Sequence, residues 1–290
     1  MRFSKAIEGY CLALSSDPDY SSITAKSYQD ALRRMCEFWD DPELENITEE
    51  TIYEYLGSIK RRGLKQSTAK YYHRVLWSFY NWSAIKLKVD RPGDIPSPKA
   101  PDAEIIPFSN DDVVRLFRAA RTIRYKAIMF VLLDTGIRVG ELIRLKVRDV
   151  DLVSGAVTIL PFETGIKSRR REVYLSKNSR NVIWQYNASR EIEPTSPLIS
   201  TEDGYPLERF SINKILIRVG HAAGVRGVNP HRFRHTFAIE YLRNGGDIFT
   251  LKRLLGHSSW KVVQLYLEIA RADIVNAHRK ASPVDNLRLR

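Results

Sequence analysis

Asn229-Pro230-His231-Arg232-Phe233-Arg234-His235-Thr236, then Leu254-Leu255-Gly256-His257 and, nine residues further on, Tyr266, set the reading of this chain. Asn229 and Pro230 suit the cap and first position of a helix over about 230–243, which Gly245-Gly246 closes. A second helix over 247–255 ends at Gly256, and a third over 259–269 carries Tyr266 among Val262, Val263, Leu265 and Ile269. On the first of these helices His231, Arg234 and His235 share a face, while Phe233, Phe237 and Tyr241 form a flank that packs inward. Two cationic donors three residues apart make a clamp for a phosphate, and a tyrosine within reach of that clamp is a candidate nucleophile.

Upstream, Thr135-Gly136-Ile137-Arg138-Val139-Gly140-Glu141-Leu142 reads as one helix (Tyr125 to Asp134) stopped at Thr135-Gly136 and another begun at Arg138 and running to Leu145. An arginine in a first turn stands beside free N–H donors and the positive helix end, which is awkward unless an anion is near; Glu141 can also hold it. The apolar period then changes to two. Ala156 to Leu160 and Glu172 to Leu175 read as strands joined by a basic hairpin, Pro161 to Arg171, and Asp149 to Val153 reads as a possible further strand. Helices return from Phe210, over about 210–223 and onward to 272–280. The hairpin's Lys167 is a flexible ammonium able to give a proton to a leaving oxygen, and its Arg169 is a candidate DNA contact.

Residues 1–88 read as helices alone: about Ser4 to Leu14, then Ser27 to Trp39, a helix capped by Thr48 and ending near Gly63, and one begun at Ser67 or Thr68. Residues 89–107 hold Pro92, Pro96, Pro98, Pro101, Pro107 and Gly93, an extended tether that separates this domain from a second over 108–290. The second opens with the capping string Ser109-Asn110-Asp111-Asp112. The formal net charge is +12, with +1 in residues 1–88 and +11 in residues 89–290, so the basic excess sits with the clamp and favours a polyanionic partner. Lys70 and Arg74 share one helical face of the first domain and are candidate DNA contacts. Cys11 and Cys36 form no metal-ligand spacing and suit a reducing compartment. The apolar run Tyr10 to Leu14 is too short for a signal peptide, and no window approaches the ~18 apolar residues of a membrane span. A cytoplasmic protein with no membrane partner is expected.

Each string alone also has an ordinary reading: a surface Arg–Glu pair, a solvated basic helix face, a capping histidine at His257, a core aromatic at Tyr266. Their order is more informative. Arg138, a lysine on a β-hairpin, His231-x-x-Arg234, Gly256-His257 and Tyr266 nine residues later resemble the tyrosine recombinase (phage integrase) family. The first domain, including Gln66-Ser67-Thr68-Ala69-Lys70 and Phe79-Tyr80-Asn81-Trp82, resembles that family's core-binding domain, and the whole is most like the Xer group of prokaryotic recombinases. The resemblance implies a mainly α fold with a small β-sheet: a helical, SAM-like core-binding domain and an α+β catalytic domain ending in a subunit-docking helix.

It also implies the chemistry. Tyr266 attacks a DNA phosphate to form a 3′-phosphotyrosyl link, Arg138 and Arg234 bind the nonbridging oxygens, His231 takes part in proton transfer and His257 donates to the same oxygens. Lys167 is implied as the general acid, although in many relatives the lysine stands where this chain has Glu163. Glu141 and His235 support this set from behind. A free tyrosine's pKa near 10 makes the phenolate cost roughly 4 kcal/mol at neutral pH, a cost that a cationic pocket lowers. No cofactor and no metal are implied. The implied partners are double-stranded DNA, further copies forming a tetramer on paired sites through residues 269–280, and a possible second recombinase or accessory proteins. Dimer resolution of Xer type is favoured by compact size and no arm-binding extension. A mobile-element integrase or resolvase, a noncatalytic DNA-binding relative and a type IB-like topoisomerase stand as alternatives.

Overall fold

The computed structural model describes residues 1–101, 104–161, 170–256 and 260–270, with the single residues 278, 282 and 284. They form two compact units that divide between Glu104 and Ile105. Lys167, Arg169 and His257, and most of the expected docking segment, lie outside the described residues.

The first unit has four α-helices among the described residues: α1 (Phe3–Ser16), α2 (Ser22–Phe38), α3 (Glu49–Arg61) and α4 (Gln66–Lys86). Local chemistry sets their starts. Ser21 caps α2 by accepting the Thr24 N–H, and Thr48 and Thr51 exchange bonds in a capping box at α3. The helices pack on an aromatic core in which Phe79 meets Phe3 and Tyr10 edge to face, at 5.3 and 5.5 Å between centroids. Residues 89–101 hold neither helix nor strand. Yet they do not simply span: Ile95 is buried, and its carbonyl lies 2.8 Å from His73 Nε2 on α4.

The second unit contains α5 (Asn110–Ala119), α6 (Ile123–Thr135), α7 (Val139–Leu142), strands β1 (Ala156–Ile159) and β2 (Arg171–Tyr174), α8 (Lys177–Ala188), α9 (Arg209–Ala223), α10 (Pro230–Arg243), α11 (Ile248–Leu255) and α12 (Lys261–Ala270). From Ala127 to Leu133 α6 is apolar on all sides, and Ala127, Ile128, Met129, Val131 and Leu132 are completely buried. It is the axis of the unit, packed by α8, α9, α10 and β2. β1 and β2 pair antiparallel, with Ala156 opposite Tyr174 and Ile159 opposite Arg171. A second apolar cluster joins α10, α11 and α12 through Ala238, Ile239, Leu251, Leu255, Val263 and Tyr266.

Two expectations are corrected, and one helix was not foreseen. Asp149 to Val153 is not a strand: Val147–Asp149 is a 3-10 turn, and Val150 makes only a single bridge to Val157. Asp151 ends the extended run by accepting the Val153 N–H and the Ser154 hydroxyl, and Gly155 turns the chain at φ 84°. The helix expected from Arg138 to Leu145 keeps only four α-helical residues, after which Arg144 and Leu145 donate to carbonyls three residues back. α8 was not expected. Its Ser176 cap, its polar composition and a Trp184 that is 63% exposed leave a faint apolar stripe of Ile183 and Tyr186.

Candidate active site

The site begins where α6 stops. Gly136 takes φ 60°, donates to the Leu132 carbonyl, and lies so close to Phe237 that an added Cβ would meet the ring at 2.2 Å. This turn sets Arg138 at the cap of α7, where its backbone N–H donates to Glu141 Oε2 at 2.8 Å and its Nη1 to Oε1 at 3.4 Å. Glu141 has no exposed side-chain surface. Its stronger partner is Arg171, with two parallel bonds of 2.9 and 2.8 Å. Burial pushes the Glu141 carboxyl up, but Arg171 and then Arg138 outweigh it and hold it below its ordinary value.

α10 supplies the next group. Asn229 accepts the Arg232 N–H at 3.0 Å and Pro230 opens the helix, as its sequence implies. Arg234 is buried and spans two helix ends, donating to the Gly136 carbonyl at 2.6 Å and the Leu255 carbonyl at 2.8 Å. Two of its five N–H donors are spent on these carbonyls. Burial lowers its proton affinity to about 9, with Arg138 adding to the effect, so it stays cationic at neutral pH. Arg138, Arg171 and Arg234 thus gather round the one carboxylate of Glu141. That leaves an excess of positive charge in a largely desolvated place.

His235, one residue after Arg234, meets the proposed nucleophile directly: its Nδ1 lies 2.8 Å from the Tyr266 hydroxyl. Tyr266 itself is 1% exposed. Burial raises its phenol above the ordinary value, with Arg234 and Arg138 pulling only partly back. The expectation that a cationic pocket lowers this phenol is therefore reversed in this arrangement, because desolvation of the anion is the larger effect. His231 keeps an exposed surface; desolvation of its packed side, then Arg234, Arg138 and Arg209, lower its proton affinity.

His235 is pushed down to about 4 by burial, then by His231 and Arg234, so it is neutral at pH 7. An unfolded histidine takes up a proton near pH 6.5, so the unfolded chain binds more protons between pH 6.5 and about 4. Stability from this group is complete above pH 6.5 and is lost as pH falls toward 4. Between pH 6.5 and 5 the loss is up to about 2 kcal/mol. Urea unfolding of the whole protein at the two pH values is expected to show it, with a smaller drop in His235→Gln; equal drops in both would remove the explanation.

Of the residues singled out from sequence, the structure brings together Arg138, Glu141, His231, Arg234, His235 and Tyr266. Lys70 and Arg74 belong to the first unit, where both are exposed along a groove with Tyr28, Tyr71 and Trp77, the Arg74 guanidinium 5.5 Å from the Tyr71 ring centre. Sequence reasoning missed Arg171, which reads as one more basic residue of a hairpin, and missed the contact of His235 with the tyrosine. Nothing local marks either.

The family model described as "Phage integrase family" matches residues 108–272, and "Phage integrase, N-terminal SAM-like domain" matches residues 7–85. Tyrosine recombinase XerA of Saccharolobus solfataricus is 26% identical over 89% of this chain and 86% of its own length. Tyrosine recombinase XerC of Staphylococcus aureus is 27% identical over 94% of this chain and 96% of its own. Among solved structures, a lambda integrase tetramer bound to a Holliday junction superimposes with a TM-score of 0.77 over 92% of this chain and 77% of that one. At 18% identity that likeness is one of fold.

Proposed function

The chain belongs to the phage integrase family, and from that premise we propose that it is a site-specific DNA recombinase whose strand cleavage is carried out by Tyr266. The observation that carries this reading is the excess positive charge around Glu141, with a tyrosine hydroxyl held by His235 beside it. Such a place favours a phosphate in two ways. A phosphodiester supplies the missing negative charge, and the added charge of a pentacoordinate transition state is held more tightly still.

In the proposed step the Tyr266 oxygen bonds to phosphorus as the phosphorus–5′-oxygen bond breaks. The product is a 3′-phosphotyrosyl link and a free 5′-hydroxyl; the hydroxyl of a partner strand reverses the step. Arg138 and Arg234 grip the nonbridging oxygens, His257 donates to the same oxygens, His231 takes up the Tyr266 proton, and Lys167 gives a proton to the leaving oxygen. Because Tyr266 is 1% exposed and hydrogen-bonded to His235, attack on a duplex requires this contact to open.

In this proposal the helical domain of residues 1–88 adds phosphate contacts through Lys70 and Arg74, the tether of 89–107 links it to the catalytic domain of 108–290, and Arg169 adds a further phosphate contact. Four copies act on paired sites in the cytoplasm, and the task is Xer-like resolution of joined replicons. The 26% and 27% identity to XerA and XerC across most of each chain supports that task. The test is incubation with nicked duplexes carrying candidate genomic sites, followed by denaturing gels that map the cut. A band of protein joined to DNA, at one position, is expected. Relaxation of plasmids lacking any such site would instead favour a topoisomerase, and no adduct on any substrate would favour a noncatalytic DNA-binding protein.

A further inference from the structure

Of the three arginines gathered at Glu141, the cleavage chemistry gives roles to Arg138 and Arg234 and none to Arg171. It opens β2, and its side chain is 9% exposed. Nη1 and Nη2 fork onto Glu141, and Nε donates to the Leu254 carbonyl at 2.7 Å. The same carboxylate receives the backbone N–H and Nη1 of Arg138. On its other side lies Gly256, at φ 62°, where an added Cβ would stand 3.1 Å from both Cζ and Nη1. One planar group therefore joins three segments distant in sequence. These are the strand leaving the hairpin, the turn that presents Arg138, and the end of α11 just before His257.

We propose that Arg171 is a positioning residue for strand cleavage: held in place by the Leu254 carbonyl, it sets the direction of Arg138 through Glu141. This rests on the reading that Arg138 grips the scissile phosphate. A buried ion pair serving only to hold the fold would place the same charges together. It would not need three segments to meet on one guanidinium, nor a glycine pressed against its face.

Lysine keeps the charge but cannot supply the fork and the third bond at once. Arg171→Lys is therefore expected to slow single-turnover cleavage of a nicked duplex by roughly 10- to 100-fold, the scale of a misplaced reacting group. Affinity for the same duplex should change by less than about 3-fold, since the phosphate contacts that dominate binding are untouched. The decisive comparison repeats the substitution in an Arg138→Lys background. If Arg171 acts through Arg138, its loss there costs much less than in the intact protein; a merely structural role costs the same factor in both.

Wild-type cleavage by Arg171→Lys overturns the inference, as does an equal loss in both backgrounds or a parallel loss of DNA binding. Should Arg171→Lys fail to fold, Gly256→Ala, which crowds the guanidinium and strains its own turn at φ 62°, is read in the same two backgrounds and is expected to slow cleavage less in Arg138→Lys than in the intact protein; an equal loss in both, or none in either, overturns the inference equally. An intact protein that forms no phosphotyrosyl adduct overturns the recombinase reading and this inference with it. Cleavage by the intact protein beside an unaffected Arg171→Lys overturns only the inference.

Discussion

Tyr266→Phe should bind its target duplex as the intact protein does and form no covalent adduct at all. The substitution removes one oxygen, and with it the only atom that attacks phosphorus in the proposed step. The ring remains, and it packs with Ala238, Ile239, Leu251, Leu255 and Val263 in the cluster that joins α10, α11 and α12. The lost hydrogen bond to His235 is a neutral pair, so stability should change by about 1 kcal/mol or less. Folding and binding are thus separable from chemistry in this variant. Denaturing gels after incubation with a nicked duplex read the adduct, and a filter or gel-shift assay reads binding. An adduct of wild-type yield from Tyr266→Phe would remove Tyr266 as the nucleophile.

Glu141→Ala is expected to have the largest effect on stability, a loss of about 3–5 kcal/mol, because it leaves a buried cation without its partner. Arg171 is 9% exposed and Arg234 is buried, with Arg138 beside them, and Glu141 is the carboxylate they share. Among the described residues no other carboxylate pairs with Arg138 or Arg171. Chemical denaturation of the intact and variant proteins measures the difference. Added inorganic phosphate should restore part of it, since an anion in the gap replaces some of the lost charge. A variant as stable as the parent would mean that solvent already screens these guanidinium groups, and the desolvated positive site would have to be abandoned.

What was legible in the sequence shares a physical origin. Helix starts at Thr48, Ser109 and Asn229 and the helix stops at Gly136 and Gly256 depend on bonds that close within a few residues. The spacing of His231, Arg234 and His235 follows from the helical repeat in the same way. The misread segments fail for reasons that are also local. Around Asp149 to Val153, apolar residues alternate as in a strand, but Asp151, Ser154 and Gly155 satisfy the backbone in a turn instead. In α8 the stripe facing the core is only two large apolar residues, Ile183 and Tyr186, against an exposed Trp184, so periodicity barely registers.

Residue types and order by themselves determined most of the helices and the antiparallel strand pair, the basic character of the second part of the chain and the set of groups suited to phosphate chemistry. Only the tertiary structure decided how those groups are used. Arg234 reaches Gly136 across 98 positions, Arg171 reaches Glu141 across 30, and His235 reaches Tyr266 across 31. These contacts depend on α10 packing against α6 and α12 and on β2 lying against α11, and on burial strong enough to make a charge seek its partner. Burial, which no short string of residues encodes, is also what raises the Tyr266 phenol where neighbouring arginines alone would have lowered it.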